Sequence, residues 1–69
     1  MNRTYVESSN IASVGYDAES LTLEVEFKKG AVYQYYDVPS STYDEFLASP
    51  SKGTYLNDSV KKQFRCSKL

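Results

Sequence analysis

The stretch Leu21-Thr22-Leu23-Glu24-Val25-Glu26-Phe27 alternates apolar and polar side chains and runs straight into Lys28-Lys29-Gly30. Period-two alternation gathers the apolar residues of a strand on one face, so this segment reads as a half-buried strand with one wet side. Gly30 supplies the positive φ that a tight reversal needs. Ala31 to Tyr36 then returns, rich in residues that favour extended backbone. Upstream, Asn10-Ile11-Ala12-Ser13-Val14-Gly15-Tyr16 reads as a weaker strand, ended by the turn Asp17-Ala18-Glu19-Ser20. Together they make a three-stranded antiparallel meander.

The register of the second hairpin decides which tyrosines are free. A three-residue turn with Gly30 left-handed sets Phe27 opposite Ala31, Val25 opposite Tyr33 and Leu23 opposite Tyr35, and puts Tyr36 on the Glu24/Glu26 face. A two-residue turn, Lys29-Gly30, shifts the pairing by one and sends Tyr33 and Tyr35 to the wet side, because a single slip inverts every side chain. The first is favoured, since it places the rings beside aliphatic cross-strand partners.

Beyond the strands the period changes. Val38-Pro39 stops the sheet, because proline has no N–H for the ladder. Ser40 or Ser41 is placed to cap a short helix through Ala48, with Asp44 and Glu45 near its positive end. Tyr43, Phe46 and Leu47 form its apolar stripe, and Pro50 ends it. Ser51 is placed to cap a second helix running to about Gln63, in which Leu56, Val60 and Phe64 recur every four residues. The expected fold is α+β, a three-stranded antiparallel meander followed by two helices packed on one face. It forms a single domain over residues 1–69, with an ordered core at about 6–65.

A chain of 69 residues buries only about 60% of the surface exposed by its unfolded form. Its hydrophobic content of 41% and charged content of 25% are those of a globular domain. No apolar run exceeds three residues, far short of a membrane span, and Met1-Asn2-Arg3-Thr4-Tyr5 has no apolar leader core. The single cysteine, Cys66, closes no disulfide within the chain, so a cytoplasmic location is expected. Small size without a covalent staple leaves room for a homo-oligomer or protein partner as a supplement to the core.

Most enzyme chemistry fails on inventory. Without histidine the commonest general base is missing. Cys66 lies beside Arg65 and Lys68 but near the end of the chain and without a base. There is no Cys/His cluster for zinc, and Asn57-Asp58 is too sparse for a calcium loop. Asp44-Glu45 serves a helix start, and Glu24/Glu26 a solvated strand face. Lys52-Gly53 lacks the glycine-spaced run of a phosphate loop. The chain is expected to be a non-catalytic module with no metal and no cofactor.

Two features remain as binding material. There are seven tyrosines and no tryptophan, and Tyr33 and Tyr35 either complete the core or stack on a planar ligand, each stack worth ~1–3 kcal/mol. Ser51-Lys52-Gly53-Thr54-Tyr55 is either a helix cap with a surface lysine or an anion cradle of free amides. Charge is split along the chain: residues 1–51 sum to −5 and residues 52–69 to +4. The basic end either complements a helix C-terminus or faces an anion.

These residues also carry a resemblance. Ser8-Ser9-Asn10-Ile11, Gly15-Tyr16-Asp17, the alternating strand, Gly30, Tyr33-Gln34-Tyr35 and Asp37-Val38-Pro39 occur in order. Tyr43 and Leu47, then Ser51-Lys52-Gly53-Thr54-Tyr55-Leu56-Asn57 and Val60, follow them. The pattern resembles the KTSC domain, a family named from the C-terminus of some lysyl-tRNA synthetases that also occurs as small stand-alone bacterial and phage proteins. No function is assigned to that family, and the resemblance implies RNA binding by association. The expected activity is therefore RNA or nucleotide binding. Tyr33, Tyr35 and Tyr55 would stack, Lys52, Lys61, Lys62 and Arg65 would meet phosphates, and Gly53 and Asn57 would complete the site. The alternative is a protein-interaction or self-assembly module built on exposed tyrosines.

Overall fold

The computed structural model describes residues 3–69. In chain order it contains β1 (Arg3–Tyr5), β2 (Ile11–Asp17), β3 (Thr22–Phe27), β4 (Val32–Tyr35), α1 (Ser40–Ala48) and α2 (Lys52–Tyr55). A π turn (Leu56–Val60) and β5 (Cys66–Lys68) follow. The strands form one antiparallel sheet in the order β1-β2-β3-β4-β5. The fold is α+β, but its sheet has five strands rather than three and extends beyond residues 6–65. The two additional strands are three residues long and exposed throughout, so neither has an alternation to read. No helix among the described residues is long and apolar enough to cross a membrane.

The favoured hairpin register is the one adopted. Val25 pairs with Tyr33 and Leu23 with Tyr35. The Phe27 amide donates to the Ala31 carbonyl at 2.8 Å, and Gly30 sits at φ 101°. The weakness of β2 as a sequence signal has a physical cause. Ile11 pairs with Phe27 while Ser13 pairs with Glu26, so a bulge lies between them. It allows Ile11 and Val14, three positions apart, both to enter the core.

That core joins Ile11, Val14, Leu23, Val25 and Tyr35 from the sheet to Val38, to Phe46 of α1, and to Leu56 and Val60 of the π turn. α1 starts at Ser40 behind Pro39, and no serine side chain caps it. Instead the Pro39 carbonyl accepts from the amides of Thr42 and Tyr43, at 3.0 and 3.2 Å. Asp44 and Glu45 fall beyond its first turn. Tyr43 stacks on Tyr16 with centroids 4.8 Å apart, and the Tyr16 hydroxyl donates to the Val38 carbonyl.

Among the described residues the opposite sheet face carries no helix and is laced by polar contacts. Arg3 pairs with Glu24 at 3.3 Å and the Ser13 hydroxyl donates to Glu26 at 2.8 Å. Gln34 donates to Glu24 at 2.9 Å, and the Tyr36 hydroxyl to Gln34 at 3.3 Å.

Leu21 closes the β2–β3 turn at φ 54° with its side chain largely outside the core. Left-handed backbone costs a β-carbon-bearing residue ~1–2 kcal/mol, and glycine's extra chain entropy offsets ~0.5–1 of it. Leu21→Gly should therefore raise the urea midpoint, by up to ~1 kcal/mol in stability. A lower midpoint would mean that the leucine contacts outweigh the strain.

Candidate ligand-binding groove

The strand alternation, the hairpin and the π turn together build a concave surface. The end of β3 and its turn supply Phe27, Lys28 and Lys29, and β4 supplies Tyr33 and Tyr35 on the face that carries the helices. Cys66 enters from β5, opposite Tyr35, while Asn57 and Lys61 enter from the π turn. This half-open hollow has a volume of about 480 Å³, within the usual range of small-ligand pockets. Three lysines line it and no carboxylate does.

Local geometry fixes each contributor. The Lys61 amide donates to the Leu56 carbonyl at 2.7 Å, five residues back. This wide turn keeps Leu56 and Val60 in the core while Asn57 and Lys61 line the groove; such π insertions recur at functional sites. Ser8 arranges the opposite rim, its hydroxyl oxygen accepting from the amides of Asn10 and Ile11 at 3.3 Å each. The Asn10 carbonyl then accepts from the Lys28 amide at 2.8 Å, tying that rim to the hairpin.

A second, more polar hollow of about 260 Å³ adjoins the first, and Ser9, Asn10 and Asn57 line both. Lys52, Gly53 and Thr54 border it. The helix there is a single α turn, so the expected cradle of helix amides is reduced. The Lys52 ammonium donates to the Ser49 carbonyl at 3.3 Å instead of facing outward. At Gly53 a β-carbon would meet Nδ2 of the Asn10 side chain at 3.7 Å, an ordinary contact.

Of the residues expected to act together, Tyr33, Tyr35, Asn57 and Lys61 line the main groove. Lys52 and Gly53 lie next door. Three others are placed elsewhere. Tyr55 packs against Phe46 at 6.0 Å because its side of the helix faces the core. Arg65 lies 3.4 Å from Asp37, both largely exposed, and Lys62 points to solvent outside the groove. Lys28 and Lys29 were expected only to make a turn, and Ser9, Asn10 and Phe27 carried no expectation of a site. The favoured register, followed to its end, was the signal for the lysines: it leaves the turn on the rim of the Tyr33/Tyr35 face.

The tyrosines differ in role. Tyr33 is half-buried and meets Phe27 edge-to-face at 5.7 Å, their planes 86° apart. Tyr35 is 3% exposed. Its hydroxyl has no hydrogen-bond partner among the described residues, yet no buried side-chain oxygen there is left unpaired, so the hydroxyl opens to the groove. Burial first, then electrostatic repulsion from Cys66 and Tyr33, push the Tyr35 phenol from 10.0 up to about 12. A phenol whose pKa rises on folding stabilises the fold fully below pH 10 and loses that contribution as pH climbs through 12. The urea midpoint should accordingly fall between pH 10 and 12, and Tyr35→Phe should flatten that part of the decline. An equally steep decline in Tyr35→Phe would assign it to other groups.

Comparison with known proteins follows the same segments. The family model of the KTSC domain matches residues 7–64. A protein of Tsukamurella paurometabola is 44% identical over 64 residues, covering 93% of this chain and 96% of its own. A lysine–tRNA ligase of Nostoc punctiforme is 36% identical over 63 residues, 91% of this chain but 11% of the ligase. The crystal structure of a KTSC domain protein from Yersinia pestis superposes with a TM-score of 0.92 at 38% identity, covering 99% of this chain and 96% of that one.

Proposed function

This chain belongs to the KTSC domain family, and from that premise we propose that its groove binds a nucleotide or an unpaired residue of RNA. The carrying observation is the lining itself: Phe27 and Tyr33 beside Lys28, Lys29 and Lys61, with no acidic side chain among them. Aromatic rings take the face of a base, and lysines meet the phosphate as point charges. Asn10 and Asn57 offer both donors and acceptors to base edges or ribose hydroxyls. That relatives of this chain form part of lysine–tRNA ligases lends the reading support. Self-assembly through exposed tyrosines has less behind it, since among the described residues Tyr5 is the one exposed tyrosine.

The test is titration of the isotopically labelled protein with a mixed-sequence single-stranded RNA. Amide resonances of Lys28, Lys29, Tyr33, Asn57 and Lys61 should shift together, and added salt should weaken the effect steeply. Shifts confined to other residues, or none at all, would reject the groove as the site.

A further inference from the structure

We propose that Cys66 is a thiol-exchange site, at which a carboxylate-bearing low-molecular-weight disulfide leaves half of itself in the groove as a mixed disulfide. The thiol is free and exposed, and β5 pairing fixes its backbone opposite Tyr35. It thus opens onto the same hollow as Lys28, Lys29 and Lys61. No carboxylate lines this hollow: Glu24 and Glu26 are on the opposite sheet face, bonded to Arg3, Ser13 and Gln34, and Glu7 borders the adjoining one.

A second observation points independently to an occupant. Tyr35, 3% exposed, turns a hydroxyl without a protein partner into this hollow. A donor that solvent satisfies in the open hollow can pass to an acceptor on a ligand, and the peptide carbonyls and carboxylates of a glutathione-like half are such acceptors. The hollow of about 480 Å³ holds a group of that size.

The step balances without an outside oxidant. The Cys66 thiol gives up its proton to solvent, and its thiolate attacks one sulfur of the disulfide. The old S–S bond breaks as the new one forms, and the other half departs as a thiolate that takes up a proton. One disulfide is exchanged for another, with no net redox change. The site depends on the sign of charge in the groove and not on nucleotide recognition, so either reading can fail without the other.

The experiment compares oxidised glutathione, an anionic disulfide, with cystamine, a cationic one, by intact-protein mass spectrometry. Each rate is divided by the rate of the same reagent with free cysteine. The normalised rate for oxidised glutathione should exceed that for cystamine by about tenfold, as expected of a focused cationic cleft. Lys28→Glu with Lys61→Glu should remove or reverse that preference while the circular dichroism spectrum is kept. In the glutathione adduct, amide resonances of Tyr33 and Lys28 should move as well as those of β5. Equal normalised rates, a preference that survives the charge reversals, or shifts confined to residues 65–69 would each overturn the proposal.

Discussion

Replacing Tyr35 with alanine is expected to destabilise the domain by ~3–5 kcal/mol, the cost of truncating a large buried aromatic residue. Its ring is 3% exposed and lies between Leu23 of β3 and Cys66 of β5. Small domains hold only about 5–15 kcal/mol in total, and those of this size sit near the lower end. The variant should therefore melt at a much lower temperature, or fail to fold at physiological temperature. Tyr35→Phe keeps the ring and removes a hydroxyl with no protein partner, so it should melt close to the parent. Thermal denaturation by circular dichroism checks both. An alanine variant that melts like the parent would place the ring outside the core.

Reversing Lys28, Lys29 and Lys61 to glutamate should leave the fold intact, because all three side chains are exposed. Binding of single-stranded RNA at low salt should weaken by more than about a hundredfold. Each lost phosphate contact lowers the salt slope by roughly 0.7, and the reversed charges add repulsion. Reversal of Lys62 and Lys68, which lie outside the groove, supplies the control. Fluorescence anisotropy of a labelled oligonucleotide distinguishes them. Similar losses in the two variants would mean that net charge, not the groove, governs binding.

The sequence carried the central architecture because two periods are strong in it. The alternation through Phe27 and the glycine at position 30 determined the hairpin, and aliphatic partners for Tyr33 and Tyr35 pointed to its register. Leu56 and Val60, four apart, marked the core face of the second helix, although not its widening into a π turn. Nothing in Arg3–Tyr5 or Cys66–Lys68 announced edge strands, because a three-residue segment acquires its pairing from neighbours rather than from its own pattern.

The candidate site was legible only in part, and for a spatial reason. Counted along the chain, Lys28 and Lys29 belong to an acidic segment. Folding carries them to the hairpin tip beside Lys61, while Glu24 and Glu26, only a few residues away, pass to the other side of the sheet. Linear charge therefore misstates which surface is cationic. Tyr55 lies apart from the groove for the converse reason: although it follows the expected anion cradle in the chain, its ring packs against Phe46.

The outermost strand on the groove side has a consequence for access. β5 is held on one flank only, and next to its ladder lie the bonds from Tyr36 to the Arg65 carbonyl and from Leu69 to the Val32 carbonyl. Short margins of this kind detach at far lower free energy than a central strand, without global unfolding. One wall of the hollow can thus swing aside while the β2–β4 scaffold stays closed. For a guest bulkier than the resting aperture, fraying of that wall would be the way in.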